Sequence, residues 1–285
     1  NIWFEGSRPK TIPAAIVPVI VGTASVENGL TLHRFVLALV VSIALQVGVN
    51  YANDYSDGIR GTDQDRIGPR RLVGSGLINA NQVKLAAGIS FLIAAIAGLV
   101  LAIMTSLWLI LIGCVAILAA WFYTGGSRPY GYSGYGEVSV FVFFGLVATV
   151  GSSYVQSQTI ESISILCSVP VGLLASALLV VNNFRDIETD SETGKQTFAV
   201  RLGKAKTKVF FALLLLASIG MYVLIAVFYT YLVLITLVVI PLIIKLIYDI
   251  FSKENAQDLI NLLENTAKLH LLAGILLSIG LAAGL

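Results

Sequence analysis

The sequence predicts an all-α protein that crosses a membrane several times. Of its 285 residues, 57% are hydrophobic and only 12% are charged, and the mean hydropathy is +0.88. Soluble domains are about a quarter charged because their surfaces face water, so this composition is typical of a chain whose solvent is lipid. The apolar stretches run continuously instead of alternating in segments of about ten residues, which argues against a transmembrane β-barrel.

Nine hydrophobic segments follow one another, each close to the roughly 20 residues that a helix needs to cross a bilayer. They span about 11–27, 35–55, 82–104, 107–124, 138–156, 162–185, 207–228, 231–250 and 267–285. We therefore expect about nine transmembrane helices in a single domain that occupies residues 1–285. The first segment follows Arg8 and Lys10 and ends in small residues, a pattern that a signal peptide also has. We interpret it as a membrane segment, because the polar residues before it fit the site described below.

If each hydrophobic segment crosses the membrane, successive connections lie on alternate sides of it, and almost all positive charge then lies on one side. Of the 18 Lys and Arg residues, 17 flank the N-terminus or the connections after segments 2, 4, 6 and 8, and Arg34 is the exception. Cytoplasmic loops carry an excess of Lys and Arg, so we expect these connections to face the cytoplasm from the cell membrane. Two of them, about 58–81 and 187–206, are long and polar, and loops of that length are usually functional or disordered. We expect the active face to be cytoplasmic and these loops to cover it.

Matching polar residues end segments 2 and 6. Each set consists of an amide followed by two carboxylates at spacings that place them on one face of a helix. The residues are Asn50, Asp54 and Asp57 on segment 2, with Asn53 beside them, and Asn182, Asp186 and Asp190 on segment 6. An isolated Asp at a helix end is usually an ordinary cap, but that interpretation does not explain two matched acidic stripes at the same depth.

Carboxylates at these positions need a cation. Insertion of an Asp into a membrane costs about 2.5–3.5 kcal/mol at the centre and less near the interface. Four converging aspartates would also repel one another. Ligand sets made only of oxygen suit Mg²⁺, which takes substrate phosphates as its other ligands. The two stripes therefore predict Mg²⁺ that holds a substrate diphosphate between them.

Positive residues near the stripes are candidates for neutralising a departing diphosphate. They are Arg8, Lys10, Arg60, Arg128, Arg185, Lys195 and Arg201. For Arg66, Arg70 and Arg71 the sequence leaves two explanations open, since topology signalling alone accounts for basic residues in an inner loop.

A segment rich in tyrosine and glycine, 123–137, joins segments 4 and 5 on the same inner side. Its four tyrosines are Tyr123, Tyr130, Tyr132 and Tyr135. Aromatic residues at this depth are typical of an interfacial belt. Four of them within thirteen residues are denser than a belt requires, and we favour stacking against a carbocation or an aromatic substrate.

At these residues the sequence resembles the UbiA superfamily of intramembrane prenyltransferases, over essentially the whole chain. Within it, the sequence is most similar to the branch that prenylates 1,4-dihydroxy-2-naphthoate for menaquinone synthesis. The matching stretches are 8–11, 53–58, 123–137, 182–190 with Gly194-Lys195, and Arg201-Leu202-Gly203.

Two positions depart from the superfamily's pattern. The third aspartate of its first motif would fall at Gly61, and Asp63 is the nearest substitute. A Tyr-x-x-x-Lys element reads Tyr123-x-x-x-Ser127 here, which leaves Arg128 as the expected cation.

The resemblance implies a reaction as well as a bundle of about nine helices with cytoplasmic cap loops. It implies Mg²⁺ on the acidic motifs, with Asn50 or Asn53 as an amide ligand, gripping the diphosphate of a polyprenyl donor. An allylic carbocation would form and be attacked by an electron-rich ring, and dihydroxynaphthoate would then lose CO₂. Asp54, Tyr123 and Arg128 would have the catalytic roles. The expected partners are polyprenyl diphosphate, an aromatic acid and the lipid bilayer, and no nucleic acid.

Three alternatives remain open at the level of sequence. Another aromatic acceptor, such as 4-hydroxybenzoate, fits the same motifs. The run from Asp54 to Arg60 also resembles the start of the CDP-alcohol phosphotransferase motif, but that family keeps all its aspartates within one short run. An ion-coupled transporter is the alternative from another class, because intramembrane carboxylates often relay protons. Transporter sites lie near the middle of the membrane, however, and these residues lie at one edge.

Overall fold

The computed structural model describes residues 2–27, 30–61, 71–253 and 255–285. These parts of the chain form helices joined by turns and contain no strand. The nine apolar helices found there are α1 Pro13–Ala24, α2 Leu32–Arg60, α3 Ala80–Met104, α4 Trp108–Phe122, α5 Gly136–Ser157, α6 Ser162–Arg185, α7 Phe198–Phe228, α8 Tyr231–Ser252 and α9 Ala256–Gly284. They correspond in order to the nine predicted segments.

Seven of these helices, α2, α3 and α5 to α9, are long and apolar enough to cross a membrane. Helices α1 and α4 have 12 and 15 residues, which is about 18 Å and 22 Å of helix. The hydrocarbon layer of a bilayer is about 30 Å thick. The predicted all-helical multi-pass membrane protein is therefore confirmed, whereas nine full spans are not.

The helices pack around two apolar cores and a smaller apolar cluster of Val19, Ala38, Leu101 and Val155. One core lies between α2, α3 and α4 and includes Tyr51, Val83 and Phe91. The other and larger core joins α1 to α6, α7, α8 and α9 and includes Phe184, Phe211 and Leu277. Helix α1 also contacts α2 and α5, so this short helix links the two halves of the bundle.

Helices α5 and α6 approach each other closely at a pair of glycines. A β-carbon added at Gly145 would lie 2.6 Å from the Cα atom of Gly172. One added at Gly172 would lie 2.8 Å from the ring of Phe141. Small residues allow this approach between helices in membranes. Around Gly145 the chain makes a π-helical segment, Phe141–Val147.

Three connections meet at one end of the bundle, the end that the sequence predicts to face the cytoplasm (the inner end). Arg60, at the end of α2, donates to the carbonyl oxygens of Thr124 and Gly126 in the α4–α5 connection. The backbone N–H of Gln196, in the α6–α7 connection, donates to the carbonyl oxygen of Tyr132 at 2.8 Å. Residues 71–79 complete this end, and residues 62–70 of the predicted first cap loop lie outside the described residues.

Candidate active site

A cavity of about 590 Å³ is lined mainly by residues of the N-terminal segment and of helices α1 to α6. Much of its wall is apolar and comes from α3, α4 and α5, with residues such as Leu99, Ile112 and Phe144. Its inner end is polar and is lined by Asn50, Asn53, Asp57, Asn182, Asn183, Asp186, Asp190 and Lys195. One cavity therefore offers matching surroundings to a hydrocarbon chain and to a charged group.

Lys195 lies between the two acidic stripes. Its Nζ atom is 3.4 Å from Oδ1 of Asp57 and 3.8 Å from Oδ1 of Asp190, and the residue is only 7% exposed. The ammonium group also lies 4.7 Å from the centre of the Tyr132 ring, whose hydroxyl donates to Asp57. The folded chain thus brings together carboxylates that are far apart in sequence and compensates them with one buried cation.

Arg185 compensates the remaining carboxylate of the second stripe. Its Nε and Nη2 atoms donate to the two oxygens of Asp186 at 2.7 and 2.8 Å, and Nη2 also donates to Asn182 at 3.0 Å. Asp186 and Asn182 line the cavity, and Arg185 is not among the lining residues. Arg185 therefore serves here as a partner of Asp186 and not as a cavity cation.

The amides of the first stripe are held by neighbouring segments. The Asn53 side-chain oxygen accepts a hydrogen bond from the Thr124 hydroxyl at 2.8 Å. The Asn50 amide donates to the carbonyl oxygen of Ser7 at 2.8 Å and to the Thr11 hydroxyl at 3.1 Å. These bonds tie the inner end of α2 to the N-terminal segment and to the α4–α5 connection.

Two of the four tyrosines, Tyr123 and Tyr130, stand edge to face beside the cavity, with ring centres 5.5 Å apart. The Tyr130 hydroxyl donates to the carbonyl oxygen of Ala119 at 2.8 Å. Burial raises the pKa of the Tyr123 hydroxyl well above its ordinary value, and the nearby Glu137 raises that pKa further. Burial also raises the pKa of Tyr130. Both phenols are therefore neutral across the physiological range. Tyr135 is exposed.

The predicted cations divide into two groups. Arg8, Lys10 and Lys195 line the cavity, whereas Arg60, Arg128, Arg185 and Arg201 do not. Arg128 and Arg201 are exposed. The Nη2 atom of Arg8 is buried without a hydrogen-bond partner in the described part of the chain, and Lys10 pairs with Glu264 of α9. Arg71, for which the sequence left two explanations open, lines the cavity and is buried.

Some predicted positions cannot be placed, and some cavity residues were not predicted. Asp63, Arg66 and Arg70 lie outside the described residues. The unpredicted lining residues include Thr11, Gln46, Thr124 and Asn183. Asn183 is fixed by its amide, which donates to the buried Glu137 at 2.9 Å. Polar residues at helical spacing from the predicted stripes are the signal that would have found Gln46 and Asn183.

No group of three or more His, Cys, Asp or Glu side chains in the described parts of the chain is close enough to hold a metal ion. The carboxylates are instead compensated by Lys195 and Arg185. The oxygen atoms of Asn53 and Asn182 add amide ligands of the kind that Mg²⁺ accepts, at the same end of the cavity. The donor set, all oxygen, therefore fits a hard divalent cation.

Residues 15–272 match the model of the UbiA prenyltransferase family. The chain belongs to this family. It is 44% identical to the 1,4-dihydroxy-2-naphthoate octaprenyltransferase of Mycobacterium tuberculosis, over 99% of this chain and 97% of that one. It is 37% identical to the enzyme of the same name from Escherichia coli, over 98% and 94% of the two chains.

Solved structures of UbiA homologs share the fold. The apo structure of a UbiA homolog from Aeropyrum pernix K1 aligns with a TM-score of 0.73 at 14% identity, over 96% of this chain and 97% of that one. The structure of a UbiA homolog from Archaeoglobus fulgidus bound to GPP and Mg²⁺ aligns with a TM-score of 0.68 at 15% identity, over 98% and 100%. The predicted UbiA-type bundle is thereby confirmed.

In this UbiA family chain, Asp54 holds a loop instead of lining the cavity. Asp54 is 1% exposed, and its two oxygens accept the backbone N–H groups of Leu72 and Val73 at 2.8 and 3.1 Å. This carboxylate therefore anchors Leu72 and Val73 to α2. The role in metal binding that the sequence predicts for Asp54 stays a prediction. Its contacts in the structure are with the loop at Leu72 and Val73.

We expect Asp54→Asn to loosen the loop at residues 71–73. An amide offers one oxygen where the carboxylate offers two, so one buried N–H loses its acceptor at a cost of about 1–3 kcal/mol. Hydrogen–deuterium exchange should therefore speed up about tenfold at Leu72 and Val73, the equivalent of roughly 1.4 kcal/mol. The melting temperature in detergent should fall as well.

Asp57→Asn is the matched control for this experiment. Asp57 lies one turn further along α2 and accepts from the Tyr132 hydroxyl. Exchange at Leu72 and Val73 should stay at the wild-type rate in this variant. Equal exchange in Asp54→Asn and the wild type would show that the carboxylate does not anchor the loop.

Proposed function

We propose that this chain transfers a polyprenyl group from polyprenyl diphosphate to 1,4-dihydroxy-2-naphthoate, with loss of diphosphate and CO₂, to give demethylmenaquinol. The observation that carries the proposal is the meeting of two acidic stripes at the inner end of an apolar cavity. The choice of reaction is supported by full-length relatives that are named 1,4-dihydroxy-2-naphthoate octaprenyltransferases. The two stripes lie at one end of the helix bundle, whereas transporter sites lie near the middle of the membrane, and this difference argues against a transporter.

The stripes would bind the diphosphate through Mg²⁺. The candidate ligands share the cavity's inner end and are Asn53, Asp57, Asn182, Asp186 and Asp190. Bound Mg²⁺ would supply positive charge that stabilises the leaving diphosphate. Asn50 donates to the N-terminal segment, and its part would be to fix the helix end that presents Asn53 and Asp57.

Lys195 and Arg8 would complete the diphosphate site. Both line the cavity, and Lys195 already stands between the two stripes. Arg8 has a buried Nη2 atom without an acceptor in the described chain, and a diphosphate oxygen would satisfy it. Charge-assisted hydrogen bonds of this kind are stronger than neutral ones and would be strongest to the departing anion. Among the predicted cations, the cavity thus favours these two over Arg128.

The tyrosines and the apolar wall would protect the carbocation. Tyr123 and Tyr130 remain neutral, so their rings offer an electron-rich face without a nucleophilic phenolate. Apolar residues from α3, α4 and α5 would hold the prenyl chain and keep water away from the cation. The electron-rich naphthoate ring is then the nucleophile within reach.

Neutralising the stripes should stop turnover. We expect Asp57→Asn, Asp186→Asn and Asp190→Asn each to lower kcat by at least about 100-fold, because each removes charge from the diphosphate site. EDTA should abolish the activity of the wild type, and added Mg²⁺ should restore that activity. The assay is product formation from a labelled polyprenyl diphosphate.

Asp249→Asn provides the matched control for these variants. Asp249 is also a buried aspartate at an inner helix end with a cationic partner, Lys253 at 2.8 Å, but it does not line the cavity. Its variant should keep wild-type turnover. Full activity of Asp186→Asn or Asp190→Asn, with the wild type inhibited by EDTA, would rule out the two-stripe site.

The acceptor is tested by direct competition. With Mg²⁺ and a polyprenyl diphosphate, the purified protein should prenylate 1,4-dihydroxy-2-naphthoate and release CO₂. It should prefer this acceptor over 4-hydroxybenzoate by at least about tenfold in kcat/KM, or about 1.4 kcal/mol, because a bicyclic ring has more surface to bury. Equal use of both acids, or a product that keeps the carboxylate, would disprove the choice of acceptor.

The site would face the cytoplasm from the cell membrane. Support comes from the 17 cationic residues that flank the N-terminus and the connections on the side of the site. In a variant whose native cysteines are replaced by alanine, a cysteine at Gly74 should react with impermeant maleimide only after the membrane is opened. A cysteine at Asn28 should react in intact cells. Reaction of the Gly74 variant from outside would reverse the orientation.

A further inference from the structure

Gln46 carries a buried acceptor atom that the described chain does not satisfy. The residue lies on α2, lines the cavity and is 6% exposed. Its Oε1 atom is buried and has no hydrogen-bond partner among the described residues. Such an atom costs about 1–3 kcal/mol when it stays unpaired, so a buried amide oxygen in a cavity wall points to a ligand.

Hydrogen bonds around Thr11 determine which end of the Gln46 amide is left over. The Thr11 hydroxyl donates its hydrogen to the carbonyl oxygen of Arg8 at 2.9 Å. Its oxygen can therefore only accept from side-chain amides, and it does so from Gln46 Nε2 at 2.9 Å and Asn50 Nδ2 at 3.1 Å. Rotating the Gln46 amide by 180° would place its oxygen next to the Thr11 hydroxyl, which already donates its only hydrogen to the Arg8 carbonyl oxygen. The carbonyl end is thus the end left unpaired.

The missing partner must be a hydrogen-bond donor. An ionised diphosphate has only acceptor oxygens, and a polyprenyl tail is a hydrocarbon, so the prenyl donor cannot satisfy Gln46. An aromatic acid with ring hydroxyl groups can, because each neutral hydroxyl donates one hydrogen bond. Of the two substrates in the proposed reaction, only the acceptor has the required group.

Gln46 is also at a suitable place along the cavity. At 100° per residue, Gln46, Asn50, Asn53 and Asp57 fall within about 60° on one face of α2. Gln46 lies seven residues before Asn53, about 10 Å along the helix axis toward the apolar part of the cavity. A ring held there would lie between the diphosphate end and the hydrocarbon wall, where the carbocation has to meet it.

We propose, on the basis of the prenyl transfer proposed above, that Gln46 Oε1 accepts a hydrogen bond from a ring hydroxyl of the aromatic acceptor. Gln46 is then a residue that determines specificity for hydroxylated aromatic acids. Replacing it with a residue of similar size and no acceptor removes the advantage of the hydroxyl and leaves the affinity for the prenyl donor intact.

Direct binding tests this without turnover. Wild type and Gln46→Leu in lipid nanodiscs, with Mg²⁺ and an unreactive prenyl thiodiphosphate, are titrated calorimetrically with three ligands: 2-naphthoate, 1-hydroxy-2-naphthoate and 4-hydroxy-2-naphthoate. The wild type should bind at least one hydroxy acid about tenfold more tightly than 2-naphthoate, the usual worth of one buried hydrogen bond. In Gln46→Leu that difference should vanish, while affinity for 2-naphthoate and for the thiodiphosphate changes less than about twofold.

Two further variants separate this role from a general effect on packing. Gln46→Glu keeps an acceptor atom and should regain the preference for a hydroxy acid, even where added negative charge weakens all three naphthoates equally. Ser42→Ala, one turn away on the cavity wall, removes a hydroxyl whose hydrogen bond goes to the Ala15 carbonyl oxygen at 2.7 Å, and should keep the preference.

A preference that persists in Gln46→Leu, or that is absent from the wild type, overturns the assignment. Failure of the proposed function gives a different result, namely a wild type that binds the hydroxy acids with the Gln46-dependent preference and does not prenylate 1,4-dihydroxy-2-naphthoate.

Discussion

Negative charge is buried at the inner ends of α2 and α6, and the positions of the connections at this end of the bundle depend on how that charge is compensated. All four aspartates are compensated by neighbouring donors or cations. Asp54 accepts two backbone N–H groups, Asp186 receives a bidentate Arg185, and Asp57 and Asp190 share Lys195. A buried charge that loses its partner costs about 3–5 kcal/mol, so these contacts cannot be broken one at a time without replacement.

The connections between helices take their positions from this compensation. The loop at 71–73 is held by Asp54, and the α4–α5 connection is held by Arg60 and Asn53. The α6–α7 connection places Lys195 and is tied to Tyr132 through its neighbour Gln196. Binding of a divalent cation with a diphosphate would change the charge that these loops balance. A substrate bound at this end would therefore meet the same carboxylates that hold these connections.

Most of the fold follows from hydrophobic length, because lipid requires continuous apolar helices and the sequence has nine apolar segments. The exception is span length: α1 and α4 are short, since the chain turns into polar connections at Ser25 and Tyr123. The i, i+4 and i+7 spacing of Asn50, Asp54 and Asp57 corresponds to one continuous helix, α2, whereas the predicted second stripe is interrupted, because α6 ends at Arg185 and Asp190 lies on the short helix Ile187–Glu192. Spacing alone did not show that Asp54 lies about 40° beyond Asn50, at the edge of the helix face that lines the cavity. There the backbone N–H groups of Leu72 and Val73 donate to it.

Long-range contacts account for what the sequence did not reveal in the site. Arg128 lies one residue beyond the position where the motif has lysine, and its exposure depends on how the 123–137 segment folds back, which no local pattern encodes. The sequence alone assigns no role to Gln46, because an amide amid apolar residues is ambiguous until its neighbours are known. Only the contacts with Thr11 and the N-terminal segment reveal that one of its atoms is unpaired.

Helices α5 and α6 cross at the contact between Gly145 and Gly172, and a change in their crossing angle would rotate them about this point. Backbone touches backbone there, so no side chain can yield to absorb a change in spacing. Glu137 and Asn183 lie eight and eleven residues away from it, at lever arms of about 12 and 16 Å. A tilt of about 5° at the contact would move these helix ends by about 1 Å, a displacement that can cost 100-fold in rate. A change in the angle between α5 and α6 would therefore move Asn183 at the polar end of the cavity, although neither Gly145 nor Gly172 lines that cavity.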